Sequence, residues 1–177
     1  MIIYFLRHAN AGQHKVNPLQ DDKRPLDAEG IQQCTIIGRV LAAMDVQVDA
    51  IISSPLKRAT QTASLVGNEI GYDSKLQTSA ALKPNASFDS FRQLLNKYTS
   101  VESIMVVGHN PSMNHFLSLM LSAGSSDDVS DLKKGAVARV DVSGNRTAIL
   151  KWCITPKIVR AIQDATPTNS RPKTDLK

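Results

Sequence analysis

Five consecutive apolar residues, Ile2-Ile3-Tyr4-Phe5-Leu6, run directly into Arg7-His8-Ala9. An uninterrupted apolar strand is covered on both faces, the condition of strands in a parallel sheet flanked by helices. Two later segments repeat the pattern: Asp49-Ala50-Ile51-Ile52-Ser53 and Ser103-Ile104-Met105-Val106-Val107. Helical periodicity follows each of them. Alternation of this kind predicts an α/β fold with a mainly parallel sheet.

The helices are marked by their ends and their apolar faces. One is predicted to begin at Asp27, with Leu26 and Ile31 at the two positions of a hydrophobic staple and Ile31, Cys34, Gly38 and Leu41 along its buried face. Another is predicted from Pro55 to about Val66, with Pro55 in its first turn. Phe88, Phe91, Leu94 and Leu95 mark a third, and Met113, Phe116, Leu117 and Met120 a fourth. A weaker strand is expected near Leu76–Leu82. Ala136–Val142 and Ala148–Cys153 read as two strands joined at Ser143-Gly144-Asn145, a strong turn signal. Residues 1–165 are expected to form one domain. Residues 166–177, rich in Pro, Thr, Ser and Lys, are expected to be a disordered basic tail.

Charge and cysteine content narrow the function classes. The net charge is +5 over 177 residues. Five Lys/Arg against two Asp/Glu lie between Pro156 and Lys177. That leaves +2 for the rest, so the basic character reads as a solvated tail. No basic stripe with interleaved aromatics points to nucleic acid. Cys34 and Cys153 lie in no CxxC pattern, so neither a disulfide framework nor a zinc site is expected. No apolar run approaches membrane-spanning length and no leader pattern opens the chain. The expected compartment is the cytoplasm, with no membrane contact.

Each of the three strongest strands delivers unusual polar residues at its carboxyl end, where open α/β sheets bind ligands. The first gives Arg7-His8. The second gives Ser53-Ser54-Pro55-Leu56-Lys57-Arg58, and the third Gly108-His109-Asn110. One histidine there can attack phosphorus. The other, with two arginines, can hold the charge on the transferring phosphoryl oxygens. Asn110 is expected to cap the following helix, with Pro111 at its first position and the helix amides facing the same anion. Metal binding is the competing use of histidine. His8, His14, His109 and His115 show no HxH or HExxH spacing, so no metal or other cofactor is expected. His14 reads as an exposed loop residue and His115 as a helix residue with a packed ring.

Taken together these segments resemble the histidine phosphatase superfamily, also called phosphoglycerate-mutase-like. Arg7-His8 matches its first signature. Ser54-Pro55-Leu56-Lys57-Arg58-Ala59-Thr60-Gln61-Thr62 matches its Ser-Pro-x-x-Arg-Ala-x-Gln-Thr motif, and Gly108-His109 its late histidine. Small size, Arg24-Pro25-Leu26 and Gly108-His109-Asn110-Pro111 resemble the short SixA-type phosphohistidine phosphatases. The resemblance implies a three-layer α/β/α sandwich and a metal-independent phosphatase. It implies His8 as nucleophile, with Arg7, Arg58 and His109 as the catalytic phosphate pocket. Arg24 is implied as a further phosphate contact, and Asn110, at the helix terminus facing the anion, is expected to be another. Ala9 replaces the common glycine of the signature. Ala80-Ala81 stands where larger members carry a glutamate acid, and Asp89 is the nearest carboxylate in sequence. A histidine nitrogen leaves more readily than an alkoxide, so the missing acid favours phosphohistidine on a protein substrate over small phosphate esters. The alternatives are a small-molecule phosphomonoesterase and a non-catalytic phosphate-recognition module.

Overall fold

A computed structural model describes residues 1–14, 16–122, 130–143 and 148–165. Its centre is a six-stranded sheet in the order β3-β2-β4-β1-β5-β6. The strands are β1 (Ile2–Arg7), β2 (Ala50–Ser53), β3 (Gln77–Thr78), β4 (Ser103–Gly108), β5 (Val137–Val142) and β6 (Ala148–Ile154). The pairs β1–β4, β2–β4 and β2–β3 are parallel, while β1–β5 and β5–β6 are antiparallel. The expected three-layer α/β/α fold is therefore present, with an antiparallel edge added to a parallel core. The Gly144-Asn145 turn and the 166–177 tail fall outside the described residues.

Alternation along β1 explains the layers. Tyr4 and Leu6 point into one cluster with Ile51, Met105 and Val107, while Ile3 and Phe5 point into another with Ile52, Ile104 and Val106. Successive strand residues face opposite sides, so an all-apolar strand needs cover on both. The first face is covered by α2 (Ala28–Ala43), α3 (Lys57–Glu69) and Val159 of α6 (Pro156–Ala165). The second is covered by α4 (Phe88–Asn96) and α5 (Ser112–Leu121), where Phe91 and Phe116 stack with centroids 4.6 Å apart. A short helix, α1 (Pro18–Asp22), lies within the stretch from β1 to α2.

Several local expectations need correction. Asp27 caps α2 through Gly30 N–H, as its side chain predicts, but the buried face runs through Gly30, Gln33, Cys34, Ile37, Gly38 and Leu41. Ile31 is 48% exposed and forms no buried staple with Leu26. The reason is Gly30: a Cβ there would lie 1.9 Å from Asn10 O. The segment after His8 thus packs on the first turn of α2, and this rotates Ile31 outward. Helix α3 begins at Lys57 with Leu56 as N-cap, so Pro55 precedes the helix. The strand expected near Leu76–Leu82 shrinks to Gln77–Thr78 followed by a 3₁₀ turn at Ala80–Leu82. Residues Pro156–Ala165, read as part of a solvated tail, fold as α6, and Arg160 reaches Gln32 and Glu29 of α2.

Gly30→Ala tests this packing by its sign. Helix propensity alone would stabilise alanine by about 1 kcal/mol. A clash with a backbone oxygen should instead destabilise by about 2–3 kcal/mol, the range for an overpacked site. Urea unfolding of the variant measures the difference, and a gain in stability would contradict the observed packing.

Candidate active site

Backbone hydrogen bonds bring the three strand ends together. His8 N–H donates to Gly108 O (3.0 Å), and Ser54 N–H donates to Val107 O (2.8 Å). Residues separated by some fifty positions in sequence therefore converge at one sheet edge. The rings of His8 and His109 lie 4.8 Å apart, tilted by 54°. Both side chains are buried, and so is Arg58, which is 3% exposed. Gly108 is needed for the approach. A Cβ there would meet Met113 Sδ at 2.7 Å and Leu82 O at 3.1 Å.

Hydrogen bonds fix the tautomer of His8 and orient His109. His8 Nδ1 lies 2.7 Å from Ala9 O. A carbonyl only accepts, so Nδ1 carries the proton and Nε2 keeps its lone pair. Ala9 is itself held, its N–H donating to Thr62 Oγ1 (3.1 Å). His109 Nε2 meets Ser54 Oγ at 2.8 Å, which leaves Nδ1 free. His109 Nδ1, Arg7 Nε and Arg58 Nε are buried with no hydrogen-bond partner among the described residues. Buried polar groups are normally satisfied. Two unpartnered guanidinium donors beside a histidine nitrogen make a site suited to an anion.

Electrostatics point the same way. Burial is the largest effect on His8; the bond to Ala9 opposes it, and the charges of Arg58, Arg7 and Lys134 add to it, so that the pKa is pushed down to about 3. Burial, then His8, Arg58, Arg7 and Arg24, push His109 down to about 2. Both rings are therefore neutral at pH 7. A bound anion would oppose the cationic field that depresses them.

Arg7 and Arg58 are anchored by different segments. Arg7 donates to Leu132 O (2.8 Å). Arg58 is anchored by Asp21 through its backbone oxygen (2.9 Å) and its carboxylate (3.3 Å). Arg24, expected as a further phosphate contact, spends its donors elsewhere. They bond to Asp21 (2.8 Å), Ala11 O (2.6 Å), Gly12 O (3.1 Å) and His14 Nδ1 (3.3 Å). Its bonds clamp Ala11, Gly12, His14 and Asp21 together beside the pocket. Asn110 does not cap α5. Pro111 holds that position, and Asn110 Nδ2 donates to Leu132 O (3.0 Å). That bond secures the segment leading to β5. His14 is exposed as expected, and His115 is an exposed helix residue whose ring lies tilted against Phe116, centroids 6.5 Å apart. Asp89 is 82% exposed and pairs with Arg92. Among the described residues, no three of His, Cys, Asp and Glu gather into a metal-ligating group. No described helix is long and apolar enough to cross a membrane.

Sequence reasoning missed Asp21, Thr62 and Leu132. Thr62 was inside the matched motif, and its fixed identity was the available signal. Asp21 and the carbonyl of Leu132 act through folded geometry and left no local pattern.

The chain is similar to several known proteins. A family model described as histidine phosphatase superfamily (branch 1) matches residues 3–84, which include Arg7-His8 and the whole Ser54–Thr62 motif. The chain is 25% identical over 167 residues to phosphohistidine phosphatase SixA of Escherichia coli strain K12, covering 92% of this chain and 100% of that protein. A solved structure of the protein histidine phosphatase SixA complexed with tungstate has a TM-score of 0.80 at 21% identity, covering 90% of this chain and 99% of that one. The α-ribazole phosphatase of Shigella flexneri has a TM-score of 0.70 at 16% identity, covering 88% and 97%. These two structural likenesses are likenesses of fold.

The depressed histidines make stability depend on pH. A histidine that stays neutral in the fold but titrates near pH 6.5 when unfolded stabilises the fold above that pH. The contribution is lost as pH falls from about 6.5 towards the folded values of about 3 and 2. Each group contributes a slope of at most about 1.4 kcal/mol per pH unit in that window. Chemical denaturation between pH 7 and 4 should show falling stability, and His109→Asn should flatten the slope by up to one proton. An unchanged slope in that variant would contradict the assigned neutral ring.

Proposed function

We propose that this chain, which belongs to the histidine phosphatase superfamily, hydrolyses phosphohistidine on proteins through a phosphorylated His8. The observation that carries the reading is the bare Nε2 of His8 beside three unpartnered polar atoms, Arg7 Nε, Arg58 Nε and His109 Nδ1.

The reaction follows from these atoms. His8 Nε2 attacks phosphorus as the bond from phosphorus to the substrate nitrogen breaks. The leaving imidazole takes its proton from solvent. Arg7 and Arg58 neutralise the equatorial oxygens. With the Ser54 hydroxyl donating to His109 Nε2, His109 presents Nδ1–H to the same group. Water then attacks phospho-His8, releasing inorganic phosphate and restoring the imidazole. The hydrogen bond from Nδ1 to Ala9 O keeps the ring oriented through both steps.

Substrate class rests on the proton inventory. Ala80 and Ala81 lie in the 3₁₀ turn, and Asp89 is engaged with Arg92 at the surface. Asp21 stands beside the pocket, but its carboxylate is paired with Arg24 and Arg58. An ion-paired carboxylate has no proton to give. A positioned acid contributes ~10²–10⁴-fold to breaking a bond to a poor leaving group. Without one, an alkoxide leaves slowly and an imidazole much faster. The second reading, a small-molecule phosphomonoesterase, is favoured by the shared fold with the α-ribazole phosphatase. It would require Asp21 to release Arg58 and act as the donor.

Brief reaction with a phosphohistidine peptide, quenched without acid, should leave an acid-labile, alkali-stable phosphate on His8. His8→Ala should abolish turnover while its thermal unfolding remains cooperative. Arg58→Lys should lower kcat/KM at least about tenfold, because lysine lacks the planar fork. Sugar phosphates should be much poorer substrates than phosphohistidine. Fast hydrolysis of a sugar phosphate, lost in Asp21→Asn, would favour the ester reading.

A further inference from the structure

A groove of about 540 Å³ adjoins the strand-end pocket and shares Arg7 with it. Its walls also carry Lys133, Lys134, Lys157 and Arg160 against one carboxylate, Glu29. Five cations face Glu29, and Asp131 pairs with Lys133 at the rim, so the surface carries a net +3.

The groove is tied to the catalytic edge by backbone. Gly135 N–H bonds to Arg7 O (3.2 Å) and His8 O (3.3 Å), which holds the preceding two lysines against the end of β1. Lys134 bonds to Asn10 Oδ1 (2.6 Å), two residues beyond His8. On the opposite wall, α6 is held to α2 by Arg160, which reaches Gln32 (3.0 Å) and Glu29 (3.9 Å). Cations on both walls remain open to solvent: Lys133 is 67% exposed and pairs with the exposed Asp131, and Arg160 is 36% exposed beside Glu29, so a substrate carboxylate would compete with these two. Lys157 is exposed and forms no ion pair among the described residues.

We propose that this groove docks an acidic segment of a protein substrate, whose carboxylates lie along Lys133, Lys157 and Arg160 while its phosphoryl group enters the His8 pocket. The proposal rests on the phosphatase reading for what enters the pocket. A polypeptide fits better than a second phosphate group because the cations come from three separate segments, the end of β1, the stretch before β5, and α6. They spread along a groove rather than converging on one point. Complementary charge of this kind raises encounter rate and selects partners, and it is screened by salt.

The test uses two fluorescein-labelled peptides with a central histidine, one flanked by glutamates and one by glutamines. Each is prepared unphosphorylated for anisotropy titration and phosphorylated for turnover. At low ionic strength the full chain should bind the glutamate peptide at least about fivefold more tightly, the effect of a few exposed ion pairs. High salt should remove the preference. The double variant Lys133→Glu/Lys157→Glu should remove it too, with turnover of para-nitrophenyl phosphate unchanged. Equal binding of the two peptides overturns the proposal, as does a preference that survives the double substitution. A preference for pyrophosphate over orthophosphate that the double variant loses, with no preference between peptides, would assign the groove to a second phosphate and also overturn it. Preferential binding without turnover of either phosphopeptide would sink the phosphatase reading and leave the groove standing.

Discussion

Two backbone hydrogen bonds at the carboxyl edge of the sheet, His8 N–H to Gly108 O and Ser54 N–H to Val107 O, align everything that follows. They require β4 to lie between β1 and β2, which is what the parallel register provides. The register places Arg7 opposite Gly108 and Ser53 opposite Val107. The next residue on each strand is then His8, Ser54 or His109. Buried apolar strands hold this register because a one-residue slip would turn each apolar set to the wrong layer.

The same edge gathers positive charge, and the fold must tolerate it. Arg7 and Arg58 act on both histidines, Lys134 on His8 and Arg24 on His109. Asp21 offsets part of this field by pairing with Arg24 and Arg58 together. The remainder is absorbed by keeping both imidazoles neutral. Unpartnered donors and depressed histidines are costly in an empty pocket, since they oppose solvation. They become favourable when a doubly charged phosphoryl group arrives. Preorganised charge of this sort is what phosphoryl transfer asks of a protein. The hydrogen bond to Ala9 O adds the one directional element, a fixed tautomer.

Much of this was legible in the sequence because it depends on local patterns. The continuous apolar runs announced buried parallel strands. The polar residues directly after them named His8, Arg58 and His109, and the structure brings these to one edge. Asp27 was readable as a cap because capping is set by a side chain and its own backbone. Features set by tertiary contact were not readable. Ile31 looked like a core residue by spacing alone, but Gly30 must meet Asn10, which turns Ile31 to solvent. Asn110 looked like a cap, but Leu132 O competes for its amide. Arg24 looked like an anion contact, yet the carbonyls of Ala11 and Gly12 and the Asp21 carboxylate take its donors. Basic residues 157 and 160 looked like a solvated tail because nothing local shows that α6 docks on α2.

Catalysis at this site turns on the protonation of one ring. Nitrogen-15 NMR of the histidine side chains reports which ring nitrogen carries hydrogen and at what pH the second proton binds. For His8 the prediction is a proton on Nδ1, a bare Nε2, and no conversion to imidazolium between pH 8 and pH 5. His8→Gln supplies the assignment. An Nε2–H tautomer at neutral pH, or an imidazolium forming near pH 6.5, would remove the nucleophile and contradict the mechanism.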